Sequence, residues 1–129
     1  MRTIKFRGKS FDNGEWVYGD YHRRADNVHT IIAMEPDKYG KVFYAVNQVN
    51  PDTIGQFTGL HDKNGQEIYE GDIVEFVNMI QGISKVVFEN GCFMADAKNY
   101  ETALTYRVSV HTRVIGNIHD NPELMNKKI

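Results

Sequence analysis

Three Asn-Gly dipeptides, Asn13-Gly14, Asn64-Gly65 and Asn90-Gly91, constrain this chain more than any other feature. Both central positions of a two-residue type I′ hairpin turn need positive φ. Gly takes that geometry freely and Asn tolerates it better than most residues. Phe11 and Trp16-Val17-Tyr18 flank the first pair, and Val86-Val87-Phe88 and Cys92-Phe93-Met94 the last. These side chains suit pleated, half-buried surfaces. The middle pair sits in the densest run of turn chemistry. From Thr58 to Val74 the chain reads as strand, turn at Lys63-Asn64-Gly65-Gln66, strand, tight turn at Glu70-Gly71-Asp72, strand. Such spacing predicts an antiparallel β protein.

Alternation supplies the remaining strands. Over residues 2–7, Ile4 and Phe6 face one way and Thr3, Lys5 and Arg7 the other, as in a half-buried strand. Trp16 to Tyr21 pairs back on it, with Trp16 and Tyr18 on one face. Thr30 to Met34 and Val42 to Val46 flank a loop containing Pro36 and Gly40, which predicts a second hairpin. Asn50 precedes Pro51 and is pushed toward extended geometry. A break there gives one domain, 1–129, with subdomains 1–50 and 51–129. The second subdomain is expected to contain strands Ile54–Thr58, Glu67–Tyr69, Asp72–Val77, Ser84–Phe88, Cys92–Ala95 and Tyr106–Asn117. In the last, Tyr106, Val108, Val110, Thr112 and Val114 share a face. A single helical turn fits Tyr100–Leu104. A short C-terminal helix fits after Asp120 or Asn121, with Pro122 at its first position, Glu123 favourable to its dipole and Lys127-Lys128 at its end. The expected class is all-β: antiparallel strands with tight hairpins, a small SH3-like barrel or pseudo-barrel in the C-terminal half, and one short C-terminal helix.

A chain of 129 residues, 41% hydrophobic and 12% aromatic, can order one modest core. Net charge is −2, so no global field favours nucleic acid or membrane. The charge is uneven, however. Residues 1–24 hold six basic against three acidic side chains, and residues 51–75 hold one against six. The lone cysteine, Cys92, cannot form an internal disulfide and suits a reducing compartment, where it is expected to be a small, partly buried side chain. No apolar signal core follows Arg2 and Lys5, and the run Ile31-Ile32-Ala33-Met34 is too short to span a bilayer. The expectation is a cytoplasmic protein with no membrane partner.

Catalytic and metal motifs are scarce. None of His22, His29, His61, His111 and His119 shows the paired Cys/His spacing of zinc sites. The His-Asp dipeptides at 61–62 and 119–120 fall in turns. A calcium loop opening at Asp62 fails, because its sixth and twelfth positions are Glu67 and Ile73. No metal or cofactor is expected. Glu67, Glu70, Asp72 and Glu75 crowd one turn, and a carboxylate hydrolase would need one of them raised by burial. Lys5, Arg7 and Lys9 line the solvent side of the first strand, Arg7 and Lys9 as its most exposed cations. With Arg23 and Arg24 nearby and Trp16, Tyr18 and Tyr21 for stacking, they are candidate nucleic-acid contacts.

Three segments together resemble the YopX-like proteins of bacterial phages and prophages. They are Ile4-Lys5-Phe6-Arg7-Gly8-Lys9 with Gly14-Glu15-Trp16-Val17-Tyr18-Gly19, then Ile54 to Leu60 through Glu70-Gly71-Asp72-Ile73-Val74, and last Val114-Ile115-Gly116-Asn117-Ile118 with Asn121-Pro122-Glu123-Leu124. The likeness is weakest over 22–50 and 78–113. It implies a phage or prophage gene in a bacterial cell, an all-β structure with an SH3-like part, and a homo-oligomer. It implies no activity and no catalytic residue. The leading expectation is a non-enzymatic module that binds a host or phage protein or itself. Binding of nucleic acid through Lys5, Arg7 and Lys9 is the alternative, and a small hydrolase at Glu70 and Asp72 the third.

Overall fold

A computed structural model describes residues 1–77, 82–98 and 101–126. The chain divides into two units, Met1–Gln56 and Phe57–Ile129.

The first unit is a ring of antiparallel pairings. Strand β1 (Phe6–Ser10) pairs with β2 (Trp16–Arg23), β2 with β3 (His29–Pro36), and β3 with β4 (Val42–His61). Beyond its β3 partners, β4 turns back to β1, placing Lys9 opposite Asn50 and Phe6 opposite Gln56. Ile31, Ala33 and Val49 are buried inside. The break expected at Asn50-Pro51 is instead a bulge within one 20-residue strand. Pro51 has no N–H to give a ladder, and the bulge puts it where none is needed. Thr53 holds the bulge: its Oγ1 donates to the Asn50 carbonyl at 2.6 Å and accepts Lys9 N–H at 2.8 Å. At Gly19 a Cβ would sit 2.0 Å from the Ile32 carbonyl oxygen, so β2 meets β3 there backbone to backbone.

In the second unit, the end of β4 pairs with β5 (Glu67–Tyr69). A five-stranded antiparallel sheet follows, in the order β10-β6-β7-β8-β9. Its strands are β6 (Asp72–Phe76), β7 (Ile83–Glu89), β8 (Cys92–Asp96), β9 (Glu101–Ala103) and β10 (Thr112–Asn117). Ile68, Val74, Val86 and Leu104 form the core, with Leu60, Phe93, Val108 and Val114 packed on it. Each such side chain contributes about 1.5–3 kcal/mol when fully buried. A helical turn, α1 (Tyr106–Ser109), precedes β10, and a 3-10 turn (Pro122–Asn126) follows it.

The all-β antiparallel class and the short C-terminal helical turn are observed; Lys127 and Lys128, assigned to its end, lie outside the described residues. Several local expectations are corrected. Only Asn90-Gly91 has positive φ at both residues, joining Glu89 to Cys92 in a two-residue hairpin. At the other two pairs only Gly14 and Gly65 are left-handed, because both loops are longer. β1 begins at Phe6, and Ile4 is exposed. Of the helical turn expected over Tyr100–Leu104, Tyr100 lies outside the described residues and Glu101–Ala103 is instead β9, paired with β8. The strand expected from Tyr106 begins at Thr112. Tyr106, Val108 and Val110 satisfy a two-residue period, but Ser109 N–H closes a helical turn on Thr105 at 2.8 Å and Ser109 is fully buried. Cys92, expected partly buried, is exposed.

Candidate functional site

Two of the cations proposed for nucleic acid, Arg7 and Lys9, converge on the Trp16 ring. β1 keeps an unbroken register with β2 from Phe6 to Lys9, while the extra residues of its irregular pairing with β4 lie on β4 between Asn50 and Gly55. Arg7 turns inward and is 6% exposed, with its guanidinium carbon 4.6 Å from the Trp16 ring centre. Lys9, half-buried, brings its Nζ to 5.5 Å from the same ring. The expectation that Arg7 lies on the solvent face is therefore corrected. Lys5 is half-buried just before β1. In the β2–β3 turn, Arg23 donates to Asn27 Oδ1 at 3.0 Å and Arg24 pairs with Asp26 at 2.8 Å.

The acidic turn is built into the scaffold. Asp72 is buried and accepts Tyr69 N–H at 2.7 Å. Asp62 is buried and accepts the N–H groups of Asn64, Gln66 and Val114. Glu75 pairs with Arg113 at 2.9 Å. A different trio comes together: one carboxylate oxygen each from Glu89, Asp96 and Glu101 lies within 4.8 Å of the others. The Glu89 charge foremost, then desolvation and the Asp96 charge, hold Glu101 above the usual carboxylate range. Among the described residues this trio is the group spaced to share a cation, and no histidine joins it. Sequence missed it because it depends on the β7-β8-β9 register. His29 instead stacks on Tyr21, its Nδ1 2.6 Å from the phenol oxygen.

Several exposed large apolar side chains gather on β3 and β4. Pairings with β2 reach β3 only as far as Ile32, and those with β1 reach β4 only from Val49 onward. Between them, residues 33–47 form a two-stranded arm. Register places Met34 opposite Tyr44, Pro36 opposite Val42 and Ile32 opposite Val46, all on one face. Tyr44 is 71% exposed, Met34 and Val46 66% each and Val42 56%. Phe43 is exposed on the opposite face, where Glu35 is its partner. The loop at the tip is ordered: Asp37 Oδ1 accepts the N–H groups of Tyr39 and Lys41, and Gly40 takes φ +79°. The apolar run from Val42 to Val46 is visible in the sequence as a strand, without a sign of which face stays uncovered. The signal available for the surface is that Val42 to Asn50 carries no charge while its partner strand ends in Glu35-Pro36.

A family model described as YopX protein matches residues 5–126. The chain belongs to the YopX family. The matched span takes in most of both units and the whole of the arm. The crystal structure of protein EF1440 from Enterococcus faecalis is similar at a TM-score of 0.59 and 23% identity, covering 97% of this chain and 99% of that one. At that identity the likeness is one of fold. No curated protein matches the chain. Within the YopX-like central stretch, Gly65 and Gly71 hold positive φ and Asp62 and Asp72 bind backbone N–H groups, so these motif residues are accounted for by turns. No helix among the described residues is long and apolar enough to cross a membrane.

Proposed function

We propose that this YopX-family chain is a non-enzymatic binding module that contacts another protein chain through the β3–β4 arm. The observation that carries this reading is the arm itself: four large apolar side chains on one face, each more than half exposed. Monomers seldom leave so contiguous an apolar strip uncovered, and such strips mark interaction surfaces. A two-stranded ribbon is also marginal by itself and gains from added strands or a packed face. The setting we propose is the cytoplasm of a bacterial cell, from a phage or prophage gene, with the second unit acting as an SH3-like scaffold. The test is capture from host-cell lysate after nuclease treatment, comparing the native chain with Tyr44→Asp. A protein retained by the native chain and lost by the variant supports the reading. Equal recovery by both, with the variant's fold verified by circular dichroism, overturns it.

A second reading, nucleic-acid binding, is favoured by the cations gathered around Trp16. With Arg7 turned inward, it rests on Lys5 and Lys9. It requires affinity that falls steeply with salt, and a shallower slope in Lys5→Ala and Lys9→Ala variants.

A further inference from the structure

The two edges of the arm are not equivalent. Along β4, Lys41 O accepts Asp37 N–H and so points toward β3, while Gln48 O accepts Phe11 N–H and so points away. Backbone direction alternates along a strand. The outward N–H and C=O groups of β4 are therefore those of Val42, Tyr44 and Val46. Among the described residues no strand pairs with this edge over Val42–Asn47. On β3, the Ile32 carbonyl meets Gly19 of β2, so the next outward positions are Met34 and Pro36. Pro36 has no N–H to donate and its neighbour Glu35 is charged and exposed. Proline and charge are the usual means of blunting an edge. The β3 edge is blunted and the β4 edge is open.

We infer that the open β4 edge pairs antiparallel with the β4 edge of a second copy of this chain, about a two-fold axis at Tyr44. The inference rests on the reading of the arm as a protein-contact surface and names its occupant. The register follows from the limits of the edge. The tip loop ends it at Lys41, and the Phe11 hydrogen bond occupies Gln48. Tyr44 is the middle of the three outward positions, so pairing centred there uses all of them: Tyr44 meets Tyr44, and each Val42 meets a Val46. An antiparallel strand paired with its own copy is two-fold symmetric and closes. The strand also suits itself electrostatically. Val42 to Asn47 has no charged side chain, and the flanking Lys41 falls opposite Asn47, so no like charges meet. The product is a four-stranded sheet. One face carries Met34, Val42, Tyr44 and Val46 from each copy, an apolar face of the kind that lets a sheet of three or more strands persist where a lone ribbon does not.

The experiment uses the full chain in a Cys92→Ser background, because the native thiol is exposed. Sedimentation equilibrium is expected to show a dimer for the parent and self-association weakened by about tenfold or more in Tyr44→Lys, which sets two cations opposite each other at the axis. Under mild oxidation Tyr44→Cys is expected to form a disulfide dimer, since facing Cα atoms in such a pair lie about 5.5 Å apart. Val42→Cys alone is expected not to cross-link, its copies being about 13 Å apart along the strand, whereas a mixture of Val42→Cys and Val46→Cys does. A parent that stays monomeric overturns the inference, as does Val42→Cys cross-linking as readily as Tyr44→Cys. Either result leaves the wider reading to be judged separately, by whether Tyr44→Asp loses its lysate partner.

Discussion

Asp62 Oδ2 accepts the backbone N–H of Val114 at 2.9 Å, joining the β4–β5 turn to β10 across 52 positions of sequence. Its other oxygen accepts Asn64 N–H at 2.8 Å and Gln66 N–H at 2.9 Å. One buried carboxylate thus shapes the turn and anchors it to the sheet. Removing it leaves three donors without their acceptor. Asp62→Ala is expected to lose about 3–4 kcal/mol of stability, and Asp62→Asn less, about 1–2 kcal/mol, since the amide oxygen still accepts. Urea denaturation of the three proteins measures this. Equal stability would show that water replaces the carboxylate without cost.

Gly19 is the tightest point of the first unit. A Cβ there would lie 2.0 Å from the Ile32 oxygen and 3.1 Å from Ala33 Cα, all backbone that cannot rotate away. Gly19→Ala must push β2 off β3, at an expected cost of about 3 kcal/mol or more. Gly14 makes the contrast: its φ is +72° but nothing lies within 4 Å of an added Cβ. Gly14→Ala is expected to cost about 1–2 kcal/mol, the strain of a left-handed alanine alone. Thermal unfolding of the pair separates steric from conformational cost. A smaller loss at Gly19 than at Gly14 would refute the assignment.

Glu101 offers a pH test. Its pKa lies above the ordinary carboxylate value chiefly because Glu89 is beside it. The folded chain therefore holds this proton more tightly than the unfolded chain. The favourable contribution is fully present below the ordinary carboxylate range and is lost as pH rises through the raised value. Relative to Glu101→Gln, the native chain should lose stability across that window and run parallel to the variant above it. Carboxylate titration by NMR should place Glu101 high, and Glu89→Gln should bring it down. An unshifted Glu101 in the native chain would disprove the contact.

Legibility in the sequence followed the range of the interaction. Asn90-Gly91 encodes its turn locally, because both residues must take positive φ, and that turn forms as expected. Asn64-Gly65 has the same letters, yet the Asp62 carboxylate captures two N–H groups and opens a longer loop. Tyr106 to Val110 alternates like a strand, but Ser109 closes a helical turn and is buried. Pro51 reads as a break only if every strand residue must join a ladder, and the bulge at Thr53 removes that need. The candidate surface was the least legible part. The run from Val42 to Val46 shows no uncovered face until the partners of β4 are known, and those are set by where β1 and β2 stop pairing.

Trp16 is the chain's one tryptophan, so its fluorescence reports on the cluster formed with Arg7 and Lys9. Arg7 is buried and its guanidinium lies over the ring, where desolvation strengthens the attraction to roughly 2 kcal/mol; Lys9 is more open and contributes closer to 0.5–1 kcal/mol. Arg7→Ala should also strip the packing of its aliphatic stem from the ring, admitting water. The expected outcome is a red-shifted Trp16 emission and a stability loss of about 2 kcal/mol or more for Arg7→Ala, with little spectral change for Lys9→Ala. Arg7→Lys should recover only part of the loss, because a compact ammonium cannot stack as the planar guanidinium does. Emission and denaturant midpoints decide the matter. If Lys9→Ala shifted the spectrum more than Arg7→Ala, then Lys9 rather than Arg7 would be the cation that shields the ring.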